Sequence, residues 1–189
     1  MLETGERILL RYPSESDKDE FLHLRATSLA FFRPWATQIP QDVDDLYGPD
    51  SFEEYIKSAQ DKRIQQLLIC SVDDGRILGT VKLRNITRGN EQYAVISTWV
   101  AAPYAGKGYM TDGIQLAVRH AFLRLGLHRI EADIFPANLR AVALIVRVGF
   151  KREGIACKFA KIDGEWRDLD RYVLLVEDWE KNQGLSARA

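Results

Sequence analysis

Cysteine, methionine and histidine are scarce in this chain of 189 residues, at two, two and three copies. Cys70 and Cys157 sit in runs that read as strand, at no metal-ligand spacing, so they read as reduced, packed thiols and not as a disulfide framework. His23, His120 and His128 show no mutual metal spacing either, and no metal is expected. No apolar stretch approaches the roughly 20 residues that cross a bilayer. The amino terminus, MLETGERILLRYP, lacks the apolar core of a secretion signal, so the expectation is a cytoplasmic protein with no membrane partner. Charge of one sign is missing as well. Lys and Arg number 26 against 27 Asp and Glu, which removes any global pull towards nucleic acid.

What is present suits one globular domain over 1–189, with 46% hydrophobic and 28% charged residues and no repeat or linker. Residues 6–12 read as a first strand ending at Pro13. Ser14 caps an amphipathic helix carrying Phe21, Leu22, Leu24 and Leu29. The stretch 31–50 is irregular, and Ser51 with Glu54 reads as a capping box opening a helix near 52–66. A hairpin follows, 67–72 and 76–84 around Asp73-Asp74-Gly75, then a strand at 92–101. Helical spacing runs from Met110 to Leu125, a strand covers 128–134, and Asn138 caps a helix that Gly149 ends. Two late strands, near 150–160 and 168–176, complete an α+β domain with a largely antiparallel sheet.

Between the 92–101 strand and its helix lies Tyr104-Ala105-Gly106-Lys107-Gly108-Tyr109-Met110. The two glycines let the backbone turn tightly and bring its N–H groups close to a ligand. The helix that follows presents unsatisfied N–H donors and a positive partial charge, as a phosphate site requires. A plain strand–helix turn has the same letters. A Walker A loop would need Lys where Tyr109 stands, and a dinucleotide fingerprint would need Gly where Thr111 stands.

This loop resembles the diphosphate loop of the GNAT superfamily of acyl-CoA N-acyltransferases, written Q/R-x-x-G-x-G/A. Asn138, Ala141, Gly149 and Phe150 match its downstream N-x-x-A-x(7)-G-F signature in register. Phe32-Arg33-Pro34-Trp35, Arg88-Gly89 and Asp163-Gly164-Glu165-Trp166-Arg167-Asp168 resemble segments of the Rim-type ribosomal-protein alanine N-acetyltransferases. The likeness covers nearly the whole chain. It implies the GNAT fold: a mostly antiparallel mixed sheet with helices on both faces and a splayed central strand pair. It implies acetyl-CoA as co-substrate, a peptide N-terminus or small amine as acceptor, and a monomer or homodimer without direct nucleic-acid contact. Gly106, Lys107, Gly108, Tyr109 and Met110 would hold the diphosphate. Trp99, Val100 and Ala101 would pair with the pantetheine arm, with Val100 or Ala101 as oxyanion donor, and Asn138 would bond the arm near sulfur or simply cap its helix.

The proton donors of the family are absent. Its Tyr seven residues after the Asn is Ile145 here, the Rim-type Ser three after it is Ala141, and the strand position often holding Glu is Val95. Asp168, Glu165 and Glu91 remain as candidate bases, acting directly or through water, against the plainer reading of each as a solvated surface carboxylate or a turn former. A site with a weak base suits an α-amine better than a lysine, and a silent acyl-CoA-binding module is the alternative of another class. Phe31, Phe32, Trp35 and Tyr47 would wall the acceptor groove, or staple helices to the sheet, and Asp42, Asp44 and Asp45 would draw in a cationic amine.

Overall fold

The computed structural model describes residues 2–35, 49–162 and 164–184. Within these, eight strands form one mixed sheet in the order β1-β2-β3-β4-β5-β6-β8-β7. They are β1 Glu3–Thr4, β2 Ile8–Arg11, β3 Gln65–Ser71, β4 Ile77–Arg84, β5 Tyr93–Val100, β6 Arg129–Ile134, β7 Lys151–Ile162 and β8 Glu165–Leu175. The helices are α1 Lys18–Thr27, α2 Leu29–Phe32, α3 Pro49–Ser58, α4 Tyr109–Leu123, α5 Leu139–Val148 and α6 Val176–Asn182.

Helix α4 forms because apolar residues recur at helical spacing, and it buries Met110, Ile114, Ala117, Val118 and Ala121. With α5 it covers one face of the sheet over Leu67, Ile69, Val81, Leu83 and Ile96. Helices α1 and α3 cover part of the other face, where Phe21 and Phe52 pack on Leu68, Cys70 and Ile77. Two core clusters therefore sandwich the sheet.

Several boundaries differ from expectation. Ser14 caps not α1 but a 3-10 turn, Glu15–Asp17, that leads into it; there the Asp17 carboxylate accepts from the Ser14 N–H at 2.7 Å and from its hydroxyl at 2.9 Å, and Asp17 is the N-cap of α1. The second long helix starts at Pro49 and stops at Ser58, so Ser51 lies inside it and does not cap it. Residues 165–175 make one long strand, and the chain adds α6 beyond the last strand that was expected. Cys70 is buried, which pushes its thiol up to about 11, while Cys157 is exposed. The late hairpin inserts out of order: β8 lies between β6 and β7.

Candidate active site

Parallel strands β5 and β6 bond through three residue pairs only: Tyr93 with Arg129, Ala94 with Ile130 and Val95 with Glu131. Beyond Val95, β5 stays paired with β4 as far as Gly79 opposite Val100, while β6 stays with β8 to Ile134 opposite Asp170. The two strands thus part into a V. The Ala101 N–H donates to the Leu78 carbonyl at 3.0 Å. By the two-residue alternation of a strand, Trp99 also serves β4, and the N–H groups of Thr98 and Val100 turn into the gap. Of the three residues expected along the pantetheine arm, Val100 alone offers its N–H there. Ala101 is already engaged. The Trp99 side chain packs away from the gap, 6.3 Å from the Phe21 ring and 6.0 Å from that of Phe32.

The open end of the V leads to the glycine loop. Ser28, fully buried between α1 and α2, accepts the Ala102 N–H at 2.9 Å and fixes where the loop leaves the strand. Gly106 has φ +76° and Gly108 φ +87°, conformations that L side chains rarely adopt. Gly108 is the N-cap of α4, and the first intrahelical bond runs from the Asp112 N–H to its carbonyl at 3.2 Å. The preceding N–H groups have no helical partner. Lys107 is exposed, its ammonium 5.8 Å from the Tyr104 ring centroid.

One residue that the sequence pattern did not single out holds this loop from behind. Arg7, just ahead of β2, donates to the Asp112 carboxylate at 2.6 and 3.0 Å and to the Lys107 carbonyl at 3.2 Å. Its guanidinium lies 5.2 Å from the Tyr109 ring centroid. A Cβ at position 108 would stand 2.9 Å from Arg7 Nη2. Arg7 neutralises an acid in the first turn of α4, where that acid would otherwise oppose an anionic ligand.

Between the strands lies a cleft of about 820 Å³, lined by Ser97 and Thr98 of β5, Ala132 to Ile134 of β6 and Asn138, Ala141 and Ile145 of α5. Arg84, Trp35, Phe135, Phe159, Lys161 and Trp166 are among the other residues that line it. The Asn138 carbonyl oxygen accepts the Ala141 N–H at 3.2 Å, so it caps α5, and its amide nitrogen remains a donor beside the gap. Ala141 and Ile145 do face the cleft, and neither carries a proton. The buried carboxylate of Asp133 is held by Arg171 at 2.9 Å. The unpaired strand edge, the positive-φ loop and the cleft joining them fit an extended arm that ends in a diphosphate.

The three candidate bases are not brought together. Asp168 is exposed and accepts the Lys158 N–H at 2.7 Å, supporting a turn with φ +47° where the β7–β8 register slips. Glu165 is exposed and ion-paired with Arg167 at 2.6 Å. Glu91 stands in the turn before β5, at the end where β5 and β6 are joined. Trp35 does reach the cleft, with its ring 6.1 Å from that of Phe135. Phe32 packs against Trp99 instead, and Tyr47, Asp42, Asp44 and Asp45 lie outside the described residues.

Residues 7–151 match the family model described as Acetyltransferase (GNAT) domain. Probable N-acetyltransferase YjcK of Bacillus subtilis is 34% identical over 178 residues, covering 94% of this chain and 98% of that protein. The [ribosomal protein uS5]-alanine N-acetyltransferase of Escherichia coli is 26% identical over 180 residues, covering 93% and 91%. The structure of Mycobacterium smegmatis RimJ in complex with CoA-disulfide superposes with a TM-score of 0.85 at 26% identity, covering 94% of this chain and 89% of that one.

Proposed function

The chain belongs to the GNAT family of N-acetyltransferases, and from that premise we propose that its acceptor is the N-terminal α-amine of a protein. It is an enzyme that takes its acetyl group from acetyl-CoA. The observation that carries the acceptor reading is the state of the carboxylates: among the described residues lining the cleft, the one acid, Asp133, is already paired with Arg171. A site with no unpaired base favours an amine that arrives largely neutral. An α-amine, with pKa about 7.7–8.0, costs roughly 3–4 kcal/mol less to deprotonate at neutral pH than a lysine near 10.4. The 26% identity to an enzyme named for alanine acetylation points the same way.

In this reading the N–H groups from Gly106 to Met110 hold the diphosphate, with Lys107 as a mobile cation beside it. Strand β5 takes the arm along its free edge. The Thr98 or Val100 N–H meets the carbonyl oxygen as it gains negative charge. The amine attacks the thioester carbon, the carbon–sulfur bond breaks, and the amine's surplus proton passes to water. The departing thiolate, whose conjugate acid has a pKa of about 8.5 by the cysteine reference, leaves without a dedicated acid and takes its proton from solvent. That agrees with the Ala141 and Ile145 positions. Asn138 orients the arm near sulfur.

Turnover on an Ala-initiated peptide is expected to exceed turnover on its acetyl-capped, lysine-containing counterpart, measured by thiol release with acetyl-CoA. Preference for the capped peptide would overturn the α-amine assignment.

A further inference from the structure

Strand β4 alternates with buried Val81 and Leu83 on the helix-α4 face, and half-buried Thr80, Lys82 and Arg84 on the other. The register sets Lys82 beside Ser97 and Arg84 beside Val95, so both cations stand on the sheet face opposite α4, the floor next to the V. Arg84 lines the cleft itself. Other guanidiniums on this face are matched. Arg11 is paired with Asp17 at 2.6 Å, Arg129 with Glu131 and Glu153 at 2.7 and 2.6 Å, and Arg171 with Asp133 at 2.9 Å.

The side chains of Arg84 and Lys82 have no hydrogen bond or ion pair among the described residues, although they are two residues apart, about 7 Å along a strand. Burial lowers the Lys82 pKa from its ordinary value, and the neighbouring Arg84 charge lowers it further. Two half-buried like charges without a partner are unfavourable, and an anion between them would relieve both. The rest of the described lining adds one cation, Lys161, and one acid already neutralised by Arg171. The floor is therefore cationic.

We propose that Arg84, with Lys82 beside it at the Ser97 register, forms a carboxylate-binding subsite, so that the acceptor is an amine whose body carries an acidic group, an Asp or Glu within the first three residues of a peptide. This rests on the α-amine reading above and narrows it. Thr98 N–H faces the gap, and Arg84 sits opposite Val95, about 10 Å back along β5. An extended peptide places the carboxylate of its second or third residue about 7–10 Å from its own amine. The same charges disfavour a polycationic acceptor such as a polyamine.

The test is a peptide series beginning Ala-Glu-Glu, Ala-Gln-Gln and Ala-Lys-Lys, with both turnover and binding to the CoA-loaded protein measured. The acidic peptide should exceed the amide one by about tenfold in kcat/KM and in affinity, the worth of one charge-assisted pair. The preference should shrink at high salt. Arg84→Gln should bring the acidic-to-amide ratio towards one, and Arg84→Lys should keep part of it. Equal handling of the three peptides by the unmodified protein, or preference for the lysine one, overturns the subsite whether or not the variants fold. A ratio unchanged in Arg84→Gln does the same. Selective binding of the acidic peptide without turnover of any peptide would uphold the subsite while refuting the α-amine assignment.

Discussion

In the proposed reading, the groups that hold the coenzyme belong to the backbone: N–H donors of the glycine loop and of Thr98 and Val100, with Arg7 and Ser28 bracing them from behind. The groups that would meet the acceptor are side chains: Arg84 on a strand, Trp35 just after α2, and Phe159 and Trp166 on the long β7–β8 hairpin. Trp166 is 61% exposed and Phe159 48%, large apolar surfaces that an acceptor would cover. The difference teaches where specificity can change. A backbone cradle depends on φ angles and tolerates most side-chain exchange, whereas a wall of side chains is rewritten by any substitution.

The sharpest way to break that contrast is Gly108→Val. An L-residue at φ +87° is strained, and its Cβ would crowd Arg7 Nη2. Loss of one or two charge-assisted bonds should weaken acetyl-CoA binding about thirty- to a hundredfold by calorimetry. Affinity retained within threefold would mean that the loop does not grip the diphosphate. Arg7→Ala should raise the KM for acetyl-CoA less, by about tenfold, since the Arg7–Asp112 pair is partly exposed. Adding Asp112→Asn should recover most of that loss, because the exposed carboxylate is what repels the ligand. A double variant no better than the single one would make Arg7 a mere packing residue. Asp168→Asn should have the smallest effect. By loosening the Lys158 turn beside Phe159 it should raise the acceptor KM about two- to threefold and lower Tm by a few degrees, with kcat nearly intact. A hundredfold fall in kcat would instead put Asp168 in the chemistry.

The contrast also explains what the sequence could reveal. Gly106, Gly108 and Asn138 act through local geometry, a positive φ or a cap, and local geometry has a spelling. The V between β5 and β6 was legible only through the family likeness. Arg7 meets Asp112 across 105 residues and Arg171 meets Asp133 across 38, so neither pair leaves a local pattern. Asp168 and Glu165 drew notice because their motif resembles that of the relatives. The folded chain gives those two carboxylates a turn to support and an arginine to pair with. Helix α6 follows the last strand with no turn residue between them, since Val173 to Val176 run apolar across the boundary, so the sequence carries no local mark of its start.

The three-pair seam between β5 and β6 has a mechanical consequence. It is a weak weld between a five-strand panel, β1 to β5, and a three-strand panel of β6, β8 and β7. A coenzyme arm laid along the free edge of β5 would act as mortar in the open joint. Amide exchange in β6 and β8 should accordingly slow on loading far more than in β2 and β3, so that occupancy is felt as stiffness across the joint.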